Sequence, residues 1–174
     1  EEQESGEKYR IVILNEKIIY IRHDLKPVIK GDGNSSVKQL IKNYHIVNKN
    51  VNKIKNIDED FILQRGYKLD DILEKNKEIQ ITNNLSEING SKLNNINIDT
   101  IHPDNIRMFK EINKILTFNL CGIDYITKDL SIPYYNSGKI IEVNVTPGIT
   151  VKFLEKKSVA NRFIDALFLP KKYS

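Results

Sequence analysis

The segments CGIDYI (residues 121–126) and GKIIEVNVTPG (residues 138–148) decide the fold of this chain, because each places oxygen-bearing side chains inside an apolar run. Asp124 interrupts the first run, and Glu142 and Asn144 interrupt the second. A carboxylate inside a buried strand is costly unless a cation or a donor compensates for it. Glu142 and Asn144 lie two positions apart, so on a strand they point to the same face. If the strand of Asp124 pairs alongside, three oxygen donors converge, and the pattern predicts a Mg²⁺ site.

Several further segments accompany these two strands. They are YRIVIL (9–14), the turn NE (15–16), KIIYIR (17–22), GDG (31–33), NLS (84–86) and IHPDN (101–105). In this order the segments resemble those of ATP-grasp carboxylate–amine ligases. The likeness is greatest to the ATP-grasp domain of the cyanophycin synthetase branch, and the fused glutathione-synthesising enzymes are also similar. The resemblance covers nearly the whole chain, and the combination of motifs is specific, whereas GDG alone is a weak signal.

The resemblance implies an α+β fold: the C-terminal lobe of an ATP-grasp unit, with a mixed or antiparallel sheet and flanking helices. ATP lies between two lobes in such enzymes, and the first lobe supplies a Gly-rich loop and lysines. We expect that first lobe to be missing from this chain and to act as its partner. Residues 1–174 then form a single partial domain with a peripheral helical insert at 58–76. The chain alone is expected to fold and to bind ATP poorly.

The implied reaction joins a carboxylate to an amine through an acyl phosphate, with ATP and Mg²⁺ as cofactors and an amino acid or peptide as substrate. Asp124, Glu142 and Asn144 are the implied metal ligands, and Glu142 and Asn144 also contact the nucleotide. Glu1 matches the residue that holds the ribose. Arg10, at the start of the first strand, is the implied catalytic contact to phosphate or substrate carboxylate, since an arginine can donate two parallel hydrogen bonds to such a group.

Three positions depart from the family pattern, because Asp24, Gln80 and Thr150 stand where basic residues are usual. Arg22 lies two residues before Asp24 on the same strand face, so it can substitute as a catalytic cation. Lys152 is close in sequence to Thr150. The departures leave an alternative open: a non-catalytic nucleotide- or peptide-binding module derived from the same fold.

Composition excludes several other classes of protein. The apolar content of 40% and charged content of 29% are typical of soluble globular domains. The sequence shows neither a membrane-spanning apolar run nor a signal-peptide pattern, and a single cysteine, Cys121, fits a reducing compartment, so we expect a cytoplasmic protein. The net charge of +4 raises the possibility of nucleic-acid binding, but the lysines are interleaved with acidic residues, which argues against it. A homo-oligomer stays open.

The local pattern predicts a β-hairpin with its turn at Asn15-Glu16. Helix and strand signals elsewhere predict these elements: a helix capped by Ser35 or Ser36, a loop over 45–56, short helices at 58–64 and 69–75, a strand at 78–81, a mobile loop over 83–97, a helix from Pro103, and a last helix capped by Ser158.

Side-chain spacing predicts which faces of the last two long helices are buried. The inward residues are expected to be Ile106, Phe109, Ile112 and Leu116 in the first, and Phe163, Ile164 and Leu167 in the second. His102 is interpreted as ordering the helix entrance, while His23 and His45 lack metal-ligand spacing. Gly31 and Gly33 are expected to serve turns with positive φ.

Overall fold

Two hydrogen-bonded sheets organise the chain in the computed structural model, which describes residues 6–48, 53–54, 56–83 and 90–168. The strands are β1 (Glu7–Leu14), β2 (Lys17–Leu25), β3 (Val28–Lys30), β4 (Glu78–Gln80), β5 (Lys92–Ile96), β6 (Leu120–Thr127) and β7 (Lys139–Asn144). The helices are α1 (Val37–Val47), α2 (Glu59–Gln64), α3 (Pro103–Leu116), α4 (Tyr134–Ser137), α5 (Val151–Leu154) and α6 (Lys157–Phe168), with a 3₁₀ turn at Ile98–Thr100.

The larger sheet has the strand order β5-β2-β1-β6-β7, and β3 pairs with β4 in a second, two-stranded sheet. β1 pairs antiparallel with both β2 and β6, and β6 pairs antiparallel with β7. The chain divides into two compact units, one made of Glu1–His23 with Asn94–Ser174 and the other of Asp24–Leu93. The single-domain interpretation with an insert at 58–76 stays a prediction. No described helix has the length and apolar character needed to cross a membrane.

The predicted hairpin is present, and its turn follows the expected local rules. Asn15 and Glu16 both have positive φ, 49° and 63°, as a type I′ turn between twisted antiparallel strands requires. The turn is held from outside the hairpin, because the Asn15 N–H donates to the carbonyl of Asn119 at 2.7 Å. The hairpin therefore presents β1 as a central strand with β6 on its other side.

In the first unit, α3 covers one face of the large sheet and α5 and α6 cover part of the other. Phe109 on α3 meets Tyr125 of β6 edge to face, with ring centroids 5.1 Å apart. On the opposite face, Phe153 of α5 meets Tyr20 of β2 in the same manner at 5.2 Å. These aromatic pairs lie among β-branched strand residues that are fully buried, so each sheet face has its own apolar layer.

α3 begins as predicted, with Pro103 as its first residue and His102 as its N-cap. His102 Nδ1 accepts a hydrogen bond from the Asp104 N–H at 3.2 Å, which confirms its role at the helix entrance. The predicted stripe is wrong at its end, because Leu116 is 36% exposed. Two buried amides, Asn105 and Asn113, share the inner face instead, and both donate to nearby backbone carbonyls.

The second unit has its own apolar core between α1 and the β3–β4 sheet, with Val37, Ile41, Ile62 and Ile79 among its buried members. Ser36 caps α1 in a reciprocal capping box with Gln39, so one of the two candidate caps is confirmed. α1 continues to Val47, which corrects the predicted loop over 45–56 at its start.

The predicted helix at 69–75 is wrong, whereas α2 and its cap Asp58 are present. The backbone of this segment pairs with the start of α1 instead: Val37 and Lys38 donate to the carbonyls of Asp71 and Leu69. Carbonyls that accept from another segment are not available for an intrahelical ladder. The predicted loop over 83–97 is also corrected, because it contains β5; residues 84–89 lie outside the described part of the chain.

The last helix differs from its prediction in both start and inner face. α6 begins at Lys157, so Ser158 lies inside the helix and is not its cap. Ile164 and Leu167 are 51% and 48% exposed, and the buried positions are Val159 and Ala166. The inner face is set by close approach to the hairpin, where the small Ala166 accepts a hydrogen bond on its carbonyl from Asn15.

The two glycines of the GDG loop have different roles. Gly33 has φ of 84°, as predicted. Gly31 does not have positive φ; instead, a Cβ there would lie 2.1 Å from the carbonyl oxygen of Glu74, so close backbone packing requires glycine.

Candidate functional site

One face of the large sheet gathers the predicted site residues of β1, β2, β6 and β7. Arg10 on β1 is the register partner of Asp124 on β6 and of Arg22 on β2. Asp124 is in turn the partner of Glu142 on β7. Residues directly opposite each other on neighbouring strands point to the same face, so these four side chains form one row across the sheet.

Asn144 lies on the same face, two residues after Glu142 on β7. Its register partner is Gly122, which lies two residues before Asp124 on β6 and therefore shares its face. The three predicted metal ligands are thus on a single face of two adjacent strands. Among the described residues, no group of three His, Cys, Asp or Glu side chains is arranged to hold a metal, and a Mg²⁺ site at Asp124, Glu142 and Asn144 stays a prediction.

Arg10 and Asp124 form a two-point ion pair at the centre of this row. Arg10 Nε donates to Asp124 Oδ1 at 2.6 Å, and Arg10 Nη2 donates to Asp124 Oδ2 at 2.8 Å. The Asp124 side chain is 3% exposed and that of Arg10 is 19% exposed. Lys8, which the sequence analysis does not single out, adds a second cation, because its Nζ lies 3.1 Å from Asp124 Oδ2.

These contacts keep Asp124 ionised. Burial raises the pKa of a carboxyl group because it disfavours the charged form, and this is the largest single influence on Asp124. The hydrogen bonds and charges of Arg10 and Lys8 together outweigh it, so the pKa of Asp124 lies below its ordinary value. Asp124 is therefore a carboxylate at neutral pH, with its negative charge compensated inside the site.

Glu142 and Asn144 lie on β7, which is an edge strand, and this corrects the expectation of a second buried strand. Glu142 is exposed, as are its apolar neighbours Ile140 and Ile141, at 38% and 49%. Asn144 is half-buried. The site therefore opens to solvent along its β7 side, while Asp124 forms its closed side.

The chemistry of these donors fits Mg²⁺, since two carboxylates and one amide are hard oxygen ligands on one face. The backbone packs closely beside these donors. A Cβ at Gly122 would lie 2.7 Å from Pro147 Cβ and 3.9 Å from Arg10 Cδ. The absence of a side chain at Gly122 thus allows the Pro147-Gly148 turn to pack against the sheet beside Arg10.

Arg22 is held at the other end of the row, near the start of α5. Its Nη1 lies 3.4 Å from Thr150 Oγ1, and the Thr150 N–H donates to the Tyr20 hydroxyl at 2.9 Å. Thr150 therefore links Arg22 to the start of α5. Lys152 nearby is exposed, and Asp24 is buried, with an exposed fraction of 1%.

Three other positions singled out in the sequence are not members of this row. Gln80 belongs to the second unit and accepts from Arg65 while donating to Thr82 and Asn83. His23 stacks on Tyr9, with 4.5 Å between ring centroids, and its Nε2 lies 3.2 Å from Glu7, so it has a structural role. Glu1 lies outside the described residues, and its proposed contact with ribose stays a prediction.

Comparison with known proteins places the chain among the relatives that its sequence predicts. It is 28% identical to cyanophycin synthetase from Synechocystis sp. over 181 residues, which is 94% of this chain and 20% of that protein. It is 23% identical to the glutathione biosynthesis bifunctional protein GshAB of Clostridium perfringens, over 97% of this chain and 23% of that protein. No family profile matches the chain.

A solved structure shares the fold. The bifunctional glutathione synthetase from Pasteurella multocida superimposes with a TM-score of 0.66 at 22% identity, covering 94% of this chain and 25% of that chain. The resemblance to ATP-grasp ligases and the α+β ATP-grasp fold of the C-terminal lobe are therefore confirmed. The chain spans about a fifth of the length of the curated relatives it matches.

Proposed function

We propose that this chain is the C-terminal lobe of an ATP-dependent carboxylate–amine ligase of the cyanophycin synthetase type, which works through an acyl phosphate in the cytoplasm. The observation that carries the proposal is the row formed by Arg22, Arg10, Asp124 and Glu142 across four adjacent strands. Such a row offers cations for phosphate oxygens at one end and oxygen ligands for a cation at the other. Phosphoryl transfer requires both, because negative charge is spread over several oxygens in the transition state.

Each side chain has a separate role in this proposal. Asp124, Glu142 and Asn144 would hold Mg²⁺, and Glu142 and Asn144 would also lie against the nucleotide. A bound Mg²⁺ neutralises phosphate charge and orients the phosphoryl group. Arg10 stays in place through its two bonds to Asp124, and its guanidinium group would contact the phosphate or the substrate carboxylate.

Arg22 is proposed to replace the basic residue that is absent at position 24. Its contact with Thr150 Oγ1 holds the guanidinium on the site face beside Arg10. Two guanidinium groups on neighbouring strands of one sheet face can donate to the same anion. An acyl phosphate intermediate, or the phosphate and carboxylate from which it forms, supplies that anion.

We assign the remainder of the ATP-binding cleft to a partner lobe, since this chain spans about a fifth of the length of the curated relatives it matches. The proposal therefore expects the chain alone to bind Mg-ATP with a Kd weaker than about 1 µM, or about −8 kcal/mol. Calorimetry with Mg-ATP measures this directly. A tighter Kd for the chain alone would contradict the division of the cleft between two lobes.

The decisive test is Mg²⁺-dependent release of ADP and phosphate by the full-length natural protein that contains this chain. Release should require both an amino-acid or peptide carboxylate and an amine. Glu142→Gln should reduce turnover by about a hundredfold, as is common when one preorganised charge-stabilising group is lost. Glu111→Gln, a matched change on α3 away from the site, should leave turnover unchanged.

A second candidate function is a nucleotide- or peptide-binding module without catalysis. The observation that favours it is the loss of basic residues at Asp24, Gln80 and Thr150. In that case the full-length protein would bind Mg-nucleotide but release no phosphate with any carboxylate–amine pair. The same assay therefore separates the two functions.

A further inference from the structure

Lys8 is a cation of the site that neither the sequence motifs nor the proposed reaction requires. It lies on β1 two residues before Arg10, so both side chains point to the same sheet face. Its Nζ lies 3.1 Å from Asp124 Oδ2, and the Lys8 side chain is 34% exposed. Lys8 thus reaches the closed side of the site while a third of its surface faces solvent.

The hydrogen bonds of Asp124 show what Lys8 occupies. Each carboxylate oxygen can accept two hydrogen bonds or ligand contacts. Among the described residues, Oδ2 accepts from Arg10 Nη2 and lies against Lys8, whereas Oδ1 accepts from Arg10 Nε. Lys8 therefore takes an acceptor position on Oδ2 that would otherwise be available to a divalent cation.

The charges of Lys8 and Arg10 also act on an approaching ion. Both cations lie against the Asp124 carboxylate. They repel a divalent cation that approaches this carboxylate, and close like charges in a partly buried site are poorly screened. A phosphate meets the opposite situation, because Lys8 and Arg10 both attract it.

We propose that Lys8 couples cation binding to phosphate binding at this site. With no phosphate present, Lys8 holds Asp124 Oδ2 and weakens the binding of a bare divalent cation. With phosphate present, the Lys8 ammonium has an alternative anionic partner, and Asp124 is then accessible to the cation. This inference rests on the proposed function, because it takes Asp124 as part of the metal site.

The coupling predicts opposite effects of one substitution on two ligands. Lys8→Met keeps the aliphatic stem and removes the charge. It should tighten binding of Mn²⁺ alone by about threefold or more, within the range of partly exposed ion pairs. It should weaken binding of pyrophosphate in the presence of Mg²⁺ by a similar factor. A merely structural role for Lys8 would weaken both or change neither.

The experiment uses the chain as it stands, with Mn²⁺ followed by electron paramagnetic resonance and pyrophosphate by calorimetry. Lys8→Arg should behave like the unmodified chain, because it keeps the charge. Lys110→Met, at an exposed position on α3, is the matched control and should change neither affinity. Circular dichroism spectra that superimpose for all variants exclude a folding defect.

The outcomes separate this inference from the proposed function. Opposite shifts in Lys8→Met, with Mn²⁺ binding abolished in Asp124→Asn, support the coupling. If Asp124→Asn abolishes Mn²⁺ binding but Lys8→Met shifts the two ligands in the same direction or not at all, the coupling is overturned and the metal site stands. If Mn²⁺ binding is unaffected by Asp124→Asn, the metal site itself is wrong, and the role of Lys8 falls with it.

Discussion

Arg10 and Asp124 face each other directly across β1 and β6, joined by two hydrogen bonds although 114 residues separate them in the chain. A one-residue slip of this pairing would move Asp124 to the opposite face, among the apolar residues under α3, without its cations. The ion pair that serves the site therefore also specifies the register of the two central strands.

Replacing Asp124 by Asn should lower the free energy of unfolding by about 2 kcal/mol. Removing one partner of a fully buried ion pair costs more than this. The cost is lower here because the side chains of Lys8 and Arg10 are partly exposed, at 34% and 19%. Urea unfolding at pH 7 measures the loss. Asp165→Asn on the exposed face of α6 serves as the control and should change stability by less than about 0.5 kcal/mol. Equal stability of the Asp124 variant and the unmodified chain would contradict the assignment of this pair.

Acid should remove the stabilisation that Asp124 provides. Its folded-state pKa lies below the ordinary value of 3.8, so the contribution is complete above about pH 4 and disappears as pH falls through the lower, folded-state pKa. The stability difference between the unmodified chain and Asp124→Asn should therefore shrink below about pH 4. Urea midpoints measured at several pH values between about 2.5 and 7 provide the test.

Comparing the unmodified chain with Asp124→Asn cancels the contribution of other acidic residues to the pH dependence of stability. Asp32, for example, has its pKa lowered to about 2, chiefly by a hydrogen bond from the Ser35 side chain, and it is present in both. A stability difference that stays constant down to about pH 2.5 would show that Asp124 is not ionised through the contacts described.

Arg22→Ala should reduce turnover of the full-length protein by about a hundredfold or more if it is an active ligase, because one preorganised donor to developing phosphate charge is lost. The variant should still fold, since Arg22 is only half-buried. Arg107→Ala offers a matched control: this arginine is 78% exposed on α3 and pairs with Asp104. Near-normal turnover in Arg22→Ala would refute its compensation for position 24.

Gly138→Ala should destabilise the chain by about 2 kcal/mol or more through overpacking. A Cβ at this position would lie 1.7 Å from the Tyr125 hydroxyl and 2.9 Å from Tyr134 Cα, and Tyr125 is fully buried. Gly148→Ala is the control, because no atom lies within 4 Å of its added Cβ. Adding Tyr125→Phe to the Gly138 variant removes the nearest atom and should restore part of the loss. Thermal unfolding of the four proteins measures all of these effects.

Local rules explain which elements could be predicted from the sequence. The hairpin follows from two β-branched runs around Asn15-Glu16, and the start of α3 follows from a capping residue before Pro103. Alternation along a strand also predicted that Glu142 and Asn144 share one face. Each of these inferences needs only residues that are neighbours in sequence.

The failures share one cause: they depend on which segment packs against which. The apolar sequence of β7 indicates burial, but β7 ends the sheet, and its position as an edge strand is a property of the topology. In α6 the more apolar residues face outward, while Arg162 turns inward and donates to the Ile19 carbonyl at 2.8 Å. Lys8 was missed although its two-residue spacing from Arg10 carries the same alternation signal that was used for Glu142.

Because β7 lies at the sheet edge, the two parts of the proposed site differ in local stability. Among the described strands, β7 pairs with β6 and with no other, whereas the strand of Asp124 lies between two strands and the charge of Asp124 is compensated by Arg10 and Lys8. Edge strands with exposed side chains open at a lower free energy than the core of the same sheet. Amide hydrogens of β7 should therefore exchange with solvent well before those of β1 and β6. Fraying of β7 would then separate Glu142 and Asn144 from Asp124 and bring them back, without unfolding of the rest of the chain.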